Sequence, residues 1–212
     1  MLFDGVQLQG LVLIRDSLKC DGTGALLWAV QQLTETAVFI ATANSPAHYG
    51  AIFKKAAGRL KVVQADSEWA EDVGSDLQEA PVTWNEDADR VILKPEAILA
   101  ALEGETAKIV FLDDLSPLYF SLNGNLAAVL RFLNTLRLQF PAVVLRASAD
   151  LPFSLLEHGS SAIIEMTPLN SGFSRTIQGQ IRVRIRQNWT LRTLIVSFFR
   201  EIEAGLVPAQ LY

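Results

Sequence analysis

Six short apolar runs constrain this chain more than any other feature. Leu11–Ile14, Ala37–Ala41, Leu60–Gln64, Lys108–Leu112, Ala142–Leu145 and Ala162–Glu165 each have the length of a buried strand. Helix signals fall between them. One helix is expected from about Ala25 to Leu33; a second opens at Ser45-Pro46 and closes at Gly58. A third, PEAILAALEG, starts at Pro95 and stops at Gly104. In NLAAVLRFLNTLR, the residues Leu126, Val129, Leu130, Leu133 and Leu136 recur at helical spacing. Strands alternating with helices predict an α/β fold with a mainly parallel sheet, because a parallel pair needs a crossover connection.

The pattern changes near the C-terminus. In QIRVRIR, apolar Ile181, Val183 and Ile185 alternate with Arg182, Arg184 and Arg186, the mark of a strand with one wet face. Gln187-Asn188 then turns into Leu191–Phe199, so the sheet is expected to end in an antiparallel hairpin. With 212 residues, half of them hydrophobic, the chain reads as one core-rich domain over 1–212.

Charge is uneven along it. Residues 66–89 hold nine acids and no Lys or Arg, and read as a surface excursion pinned by Trp69 and Trp84. Asn170–Leu194 holds no acid but carries Arg175, Arg182, Arg184, Arg186 and Arg192, so an anionic partner is expected there despite the net charge of −5. A single cysteine, Cys20, rules out an intrachain disulfide, and His48 and His158 are too isolated to suggest a metal site. MLFDGVQLQG lacks the basic start of a secretory signal, and no apolar run is long enough for a membrane span. The simplest reading is a soluble, intracellular protein with no cofactor.

Leu11–Ile14 runs through KCDGTG into an apolar helix, which is the strand, glycine turn, helix plan of a P-loop. The glycines Gly22 and Gly24 flank Thr23, but Ala25 and Leu26 stand where a working P-loop carries Lys and Ser/Thr. Asp21 adds negative charge where a triphosphate would lie, so ATP hydrolysis is not expected. IVFL followed by Asp113 and Asp114 has the form of a Walker B strand, whose acid would hold Mg²⁺; the alternative is that the two acids cap the segment DDLSPL. Strand and motif order together describe a RecA-like, P-loop NTPase-like core with degenerate nucleotide motifs. The positive candidates for phosphate contact are Arg175, in the loop SGFSRTIQG, and Arg182 and Arg184 on the alternating strand; the alternative for these is ordinary solvated surface.

Three blocks then fall in order. AHYGAIFKKAAG (47–58), FLDDLSPLYFSLNGNLAAVLRFLNTLR (111–137) and LNSGFSRTIQGQIRV (169–183), with IVSFF (195–199) after them, resemble the successive motifs of the Elongator complex protein 6 family. The most specific is the Ser-Gly to Gly-Gln loop. Ala47 and Gln178 depart from the Ser and His often found at those places in the family. The opening LQGLVLIRDSLKCDG is similar instead to Elongator complex protein 5, a sister family with the same core that commonly carries an acidic C-terminal tail. The resemblance implies a non-catalytic subunit that builds a heterohexameric ring with Elongator proteins 4 and 5. That ring would bind tRNA and support the rest of Elongator in modifying wobble uridines, in the cytoplasm with the nucleus as a second location. The other reading is a divergent RecA-like ATPase, such as a recombinase paralogue.

Overall fold

The computed structural model describes residues 2–3, 6–7, 9–16, 22–43, 48–49, 52–53, 58–64, 93–148, 151–152, 154–168, 179–187, 190–202 and 205–208. In chain order its elements are β1 (Leu2–Phe3), β2 (Val6–Gln7), β3 (Gly10–Asp16), α1 (Thr23–Gln31), β4 (Ala37–Ala41), β5 (Leu60–Gln64) and α2 (Pro95–Ala101). They continue with β6 (Ile109–Leu112), α3 (Ser116–Ser121), α4 (Leu126–Gln139), β7 (Ala142–Ser148), α5 (Ser154–Gly159) and β8 (Ala162–Pro168). The chain ends in β9 (Gly179–Gln187), β10 (Thr190–Ile202) and β11 (Gly205–Pro208). His48, Tyr49 and Ile52 are also helical, inside the segment expected to follow Ser45-Pro46.

β1 and β2 form a small antiparallel pair. The other nine strands make one sheet in the order β11-β10-β9-β8-β3-β7-β6-β4-β5. From β8 to β5 every pairing is parallel. From β8 to β11 every pairing is antiparallel. The expected parallel sheet and its C-terminal hairpin are therefore both present. β11 extends the hairpin by one strand and lies beside α1. The acidic stretch 66–89 and the loop carrying Arg175 lie outside the described residues.

The strands of the parallel half are apolar throughout because both faces of the sheet are covered. Val12, Ile14, Phe39, Phe111, Val144 and Ile164 form one face, against which α1 packs Leu26, Trp28 and Ala29. Leu11, Leu13, Ile40, Leu112, Leu145 and Ile163 form the other, beneath Ile98 of α2, Leu118 of α3, Val129, Leu133 and Leu136 of α4, and Leu156 of α5. Residues two apart share a face, as the pleat dictates. The α4 helix starts where Asn125 accepts a bond from the Ala128 N–H at 3.1 Å. Among the described residues no helix is long and apolar enough to cross a membrane.

Connections diverge at one place. β3 leads through α1 to β4 on one side of it, whereas β7 leads through α5 to β8 on the other. The crevice beyond the carboxyl ends of β3 and β7 is where open α/β sheets generally bind ligands.

Candidate functional site

That crevice is lined by the glycine turn after β3, the two acids after β6, and the end of β7. Thr23 and Gly24 are already the first residues of α1, and Gly22 is its N-cap residue, with ordinary helical dihedrals. A Cβ on Gly22 would stand 3.0 Å from Ile14 Cγ2 and 3.5 Å from Arg146 Cδ. Close packing on β3 and β7 thus disfavours a side chain here, independently of any phosphate. Gly22→Ala is expected to cost about 1–2 kcal/mol, the usual penalty of modest overpacking, read as a shift of the urea midpoint at unchanged slope.

Asp113 is buried, at 1% exposure. Its Oδ1 accepts the Thr42 N–H at 2.7 Å and the Asp114 N–H at 2.7 Å. Its Oδ2 accepts the Ala43 N–H at 3.0 Å and the Tyr49 hydroxyl at 2.7 Å. Thr42 Oγ1 is also in reach, with its one hydrogen shared between Asp113 Oδ1 and the Asp114 carbonyl. An ionised carboxylate has about four lone-pair positions, so the protein itself saturates this one. Instead of capping the segment after it, Asp113 reaches back and ties β6 to the end of β4 and to the Tyr49 helix.

Asp114 does what a turn aspartate does. Its Oδ1 accepts the Ser116 N–H at 2.8 Å, two residues on, and leads the chain into α3. Its Oδ2 is paired with Arg146 Nη2 at 3.0 Å, both side chains being largely buried. Arg146 Nε donates to the Asp113 carbonyl at 2.7 Å. Sequence reasoning missed Arg146, Thr42 and the hydroxyl of Tyr49. A signal for Arg146 was present: AVVLRAS puts a charge inside a strand that is otherwise buried, and such a charge is almost always paired.

The β9 arginines share one sheet face. Arg184 Nη2 meets Glu165 Oε1 at 2.5 Å, and Arg15 Nη1 bridges the same oxygen at 3.1 Å and Glu157 Oε1 at 3.2 Å. Arg186 donates from Nε to the Ser160 carbonyl at 2.9 Å and from Nη2 to the Glu157 carbonyl at 2.6 Å. Arg182 stands opposite Glu165 in register but forms no ion pair with it. Around Glu165, therefore, Arg15 and Arg184 are ion-paired and Arg182 is not. The structure does not bring these arginines to the acids after β6, which project from the far side of β7. Among the described residues no group of three His, Cys, Asp or Glu could hold a metal ion.

No family model matches the chain, and no curated protein matches it. Solved structures do. The crystal structure of the flagellar accessory protein FlaH from Methanocaldococcus jannaschii is similar, with a TM-score of 0.59 and 9% identity over 98% of this chain and 93% of that one. With β7 inserted between the glycine-turn strand and the strand bearing the two acids, and with that structural likeness across nearly the whole chain, the fold is RecA-like.

Proposed function

We propose that this chain is a non-catalytic RecA-like subunit of the Elongator complex, of the protein 6 class, that builds a heterohexameric ring with Elongator proteins 4 and 5. The non-catalytic part is carried by one observation: the carboxylate of Asp113 is filled by donors of its own chain, while Asp114 is already paired with Arg146. A Walker B acid must keep a lone pair for the metal, and this one keeps none. The ring-building part rests on the ordered sequence blocks. Two of them supply the site, since AHYG contributes Tyr49 and FLDDLS contributes Asp113 and Asp114. The opening LQGLVLIRDSLKCDG favours the protein 5 class as a second reading within the same ring.

In this role the ring binds tRNA and supports wobble-uridine modification in the cytoplasm and nucleus. The chain contributes positive charge from the β8–β9 loop and from β9. Of the two strand candidates, Arg182 is the better placed to contribute, because Arg184 is engaged with Glu165. Gentle purification of the tagged chain from its own cell is expected to yield two RecA-like partners in equal amounts at hexamer mass. A lone chain or a homo-oligomer would overturn the proposal. In the assembled ring, Arg182→Glu is expected to weaken tRNA binding across sequences and lower the slope of log affinity against log salt by about 1. Unchanged affinity and slope would leave Arg182 as ordinary surface.

A further inference from the structure

We infer that Arg146 stands in for bound nucleotide: it permanently joins the parts of the fold that a metal-bound triphosphate joins in a working P-loop protein. In such proteins the glycine turn and the acid after the Walker B strand meet through the phosphates and Mg²⁺, and the neighbouring segments relax when that ligand changes. Here the joining atoms belong to the chain. The stem of Arg146 lies beside Gly22, its Cγ 3.6 Å from where a Gly22 Cβ would be. Its Nε holds the Asp113 carbonyl at 2.7 Å and its Nη2 holds Asp114 Oδ2 at 3.0 Å. The Arg146 carbonyl in turn accepts the Leu115 N–H at 2.9 Å, so β7 grips the β6–α3 connection from both side chain and backbone.

The second half of the junction is Asp113, which fixes Thr42 and Ala43 at the end of β4 and Tyr49 beyond it. Together the two residues bind the ends of β4, β6 and β7 into one arrangement, with Gly22 packed beside the Arg146 stem. A positive charge is needed there, because two adjacent carboxylates face inward. Arginine supplies it in a fork that reaches a carbonyl and a carboxylate at once, which a point-charged ammonium does poorly. The consequence is a RecA-like subunit that holds a single state at its switch point and does not respond to nucleotide.

Hydrogen exchange of the full chain tests this, read at the amides of Thr42, Ala43, Asp114, Leu115 and Ser116. The wild type is expected to show the same protection with and without Mg²⁺–ATP. Arg146→Met keeps the length of the stem and removes the charge. It is expected to lower protection at Asp114, Leu115 and Ser116 at least tenfold while central β6 amides keep theirs, and to lower the melting temperature by about 5–10 °C. If that variant does not fold, Arg146→Lys is read in the same way and should lose part of the protection. Wild-type protection that rises with Mg²⁺–ATP would overturn the inference. So would full protection in Arg146→Met, or in Arg146→Lys where that variant is the one read.

Discussion

Replacing Asp113 with alanine is expected to destabilise the protein by about 3–5 kcal/mol, since several buried donors lose their acceptor together. The Thr42, Ala43 and Asp114 amides and the Tyr49 hydroxyl all donate to this one carboxylate. Each buried donor left unsatisfied costs about 1–3 kcal/mol, with the lower values applying where water can enter. Asp113→Asn should fall between wild type and alanine, because the amide keeps one acceptor oxygen but turns an N–H₂ group toward other donors. Urea unfolding followed by tryptophan fluorescence reads both as midpoint shifts. The sign separates this account from a catalytic one. Acids held ready for metal are commonly a burden on the fold, so their removal tends to leave stability unchanged or raised. A stable Asp113→Ala protein would place the residue in the second class.

Phe39→Ala is the other change with a large expected effect, about 3–5 kcal/mol for emptying an aromatic site in a fully closed core. Phe39 sits on β4 with no exposed surface. Its ring centroid lies 4.5 Å from that of Tyr49, 5.0 Å from Phe53 and 6.3 Å from Phe111. The residue thus packs between Phe111, on the strand that leads to Asp113, and the helix that supplies Tyr49, and its ring lies against the ring whose hydroxyl reaches Oδ2. Phe39→Ala should therefore weaken the Tyr49 bond as well as open a cavity. A double-mutant cycle with Tyr49→Phe is expected to show coupling above about 0.5 kcal/mol, as contacting residues usually do. Strict additivity would mean that packing and the Asp113 network are independent.

Much of the fold was legible because it follows from pattern alone. Ala37–Ala41 and Leu60–Gln64 are strands with the bounds expected of them, and Leu126–Gln139 is a helix whose periodic residues Val129, Leu133 and Leu136 are buried. The alternation in QIRVRIR gave β9 its register of buried Ile181 and Val183. Short elements were missed for want of a full period. The α3 and α5 helices each have six residues, too few for an apolar stripe to show, and β11 has four.

The candidate site was legible as a frame and illegible as a network. The glycine turn and Asp113-Asp114 are visible in sequence because both are local. Their partners are not: Thr42 and Tyr49 lie more than sixty residues from Asp113, and Arg146 lies more than thirty residues from both acids. Only the sheet order, which puts β4 and β7 on either side of β6, brings these groups together. The reason Gly22 is glycine was likewise out of reach, because the atoms it must avoid belong to Ile14 and Arg146.

The most direct test is calorimetric titration of the folded chain with Mg²⁺–ATP up to about 1 mM, where even an affinity near −4 kcal/mol registers. A site closed by its own arginine and its own hydrogen bonds predicts no saturable heat. Saturable binding that Asp114→Ala abolishes would contradict it, and would make the acids after β6 a working metal site.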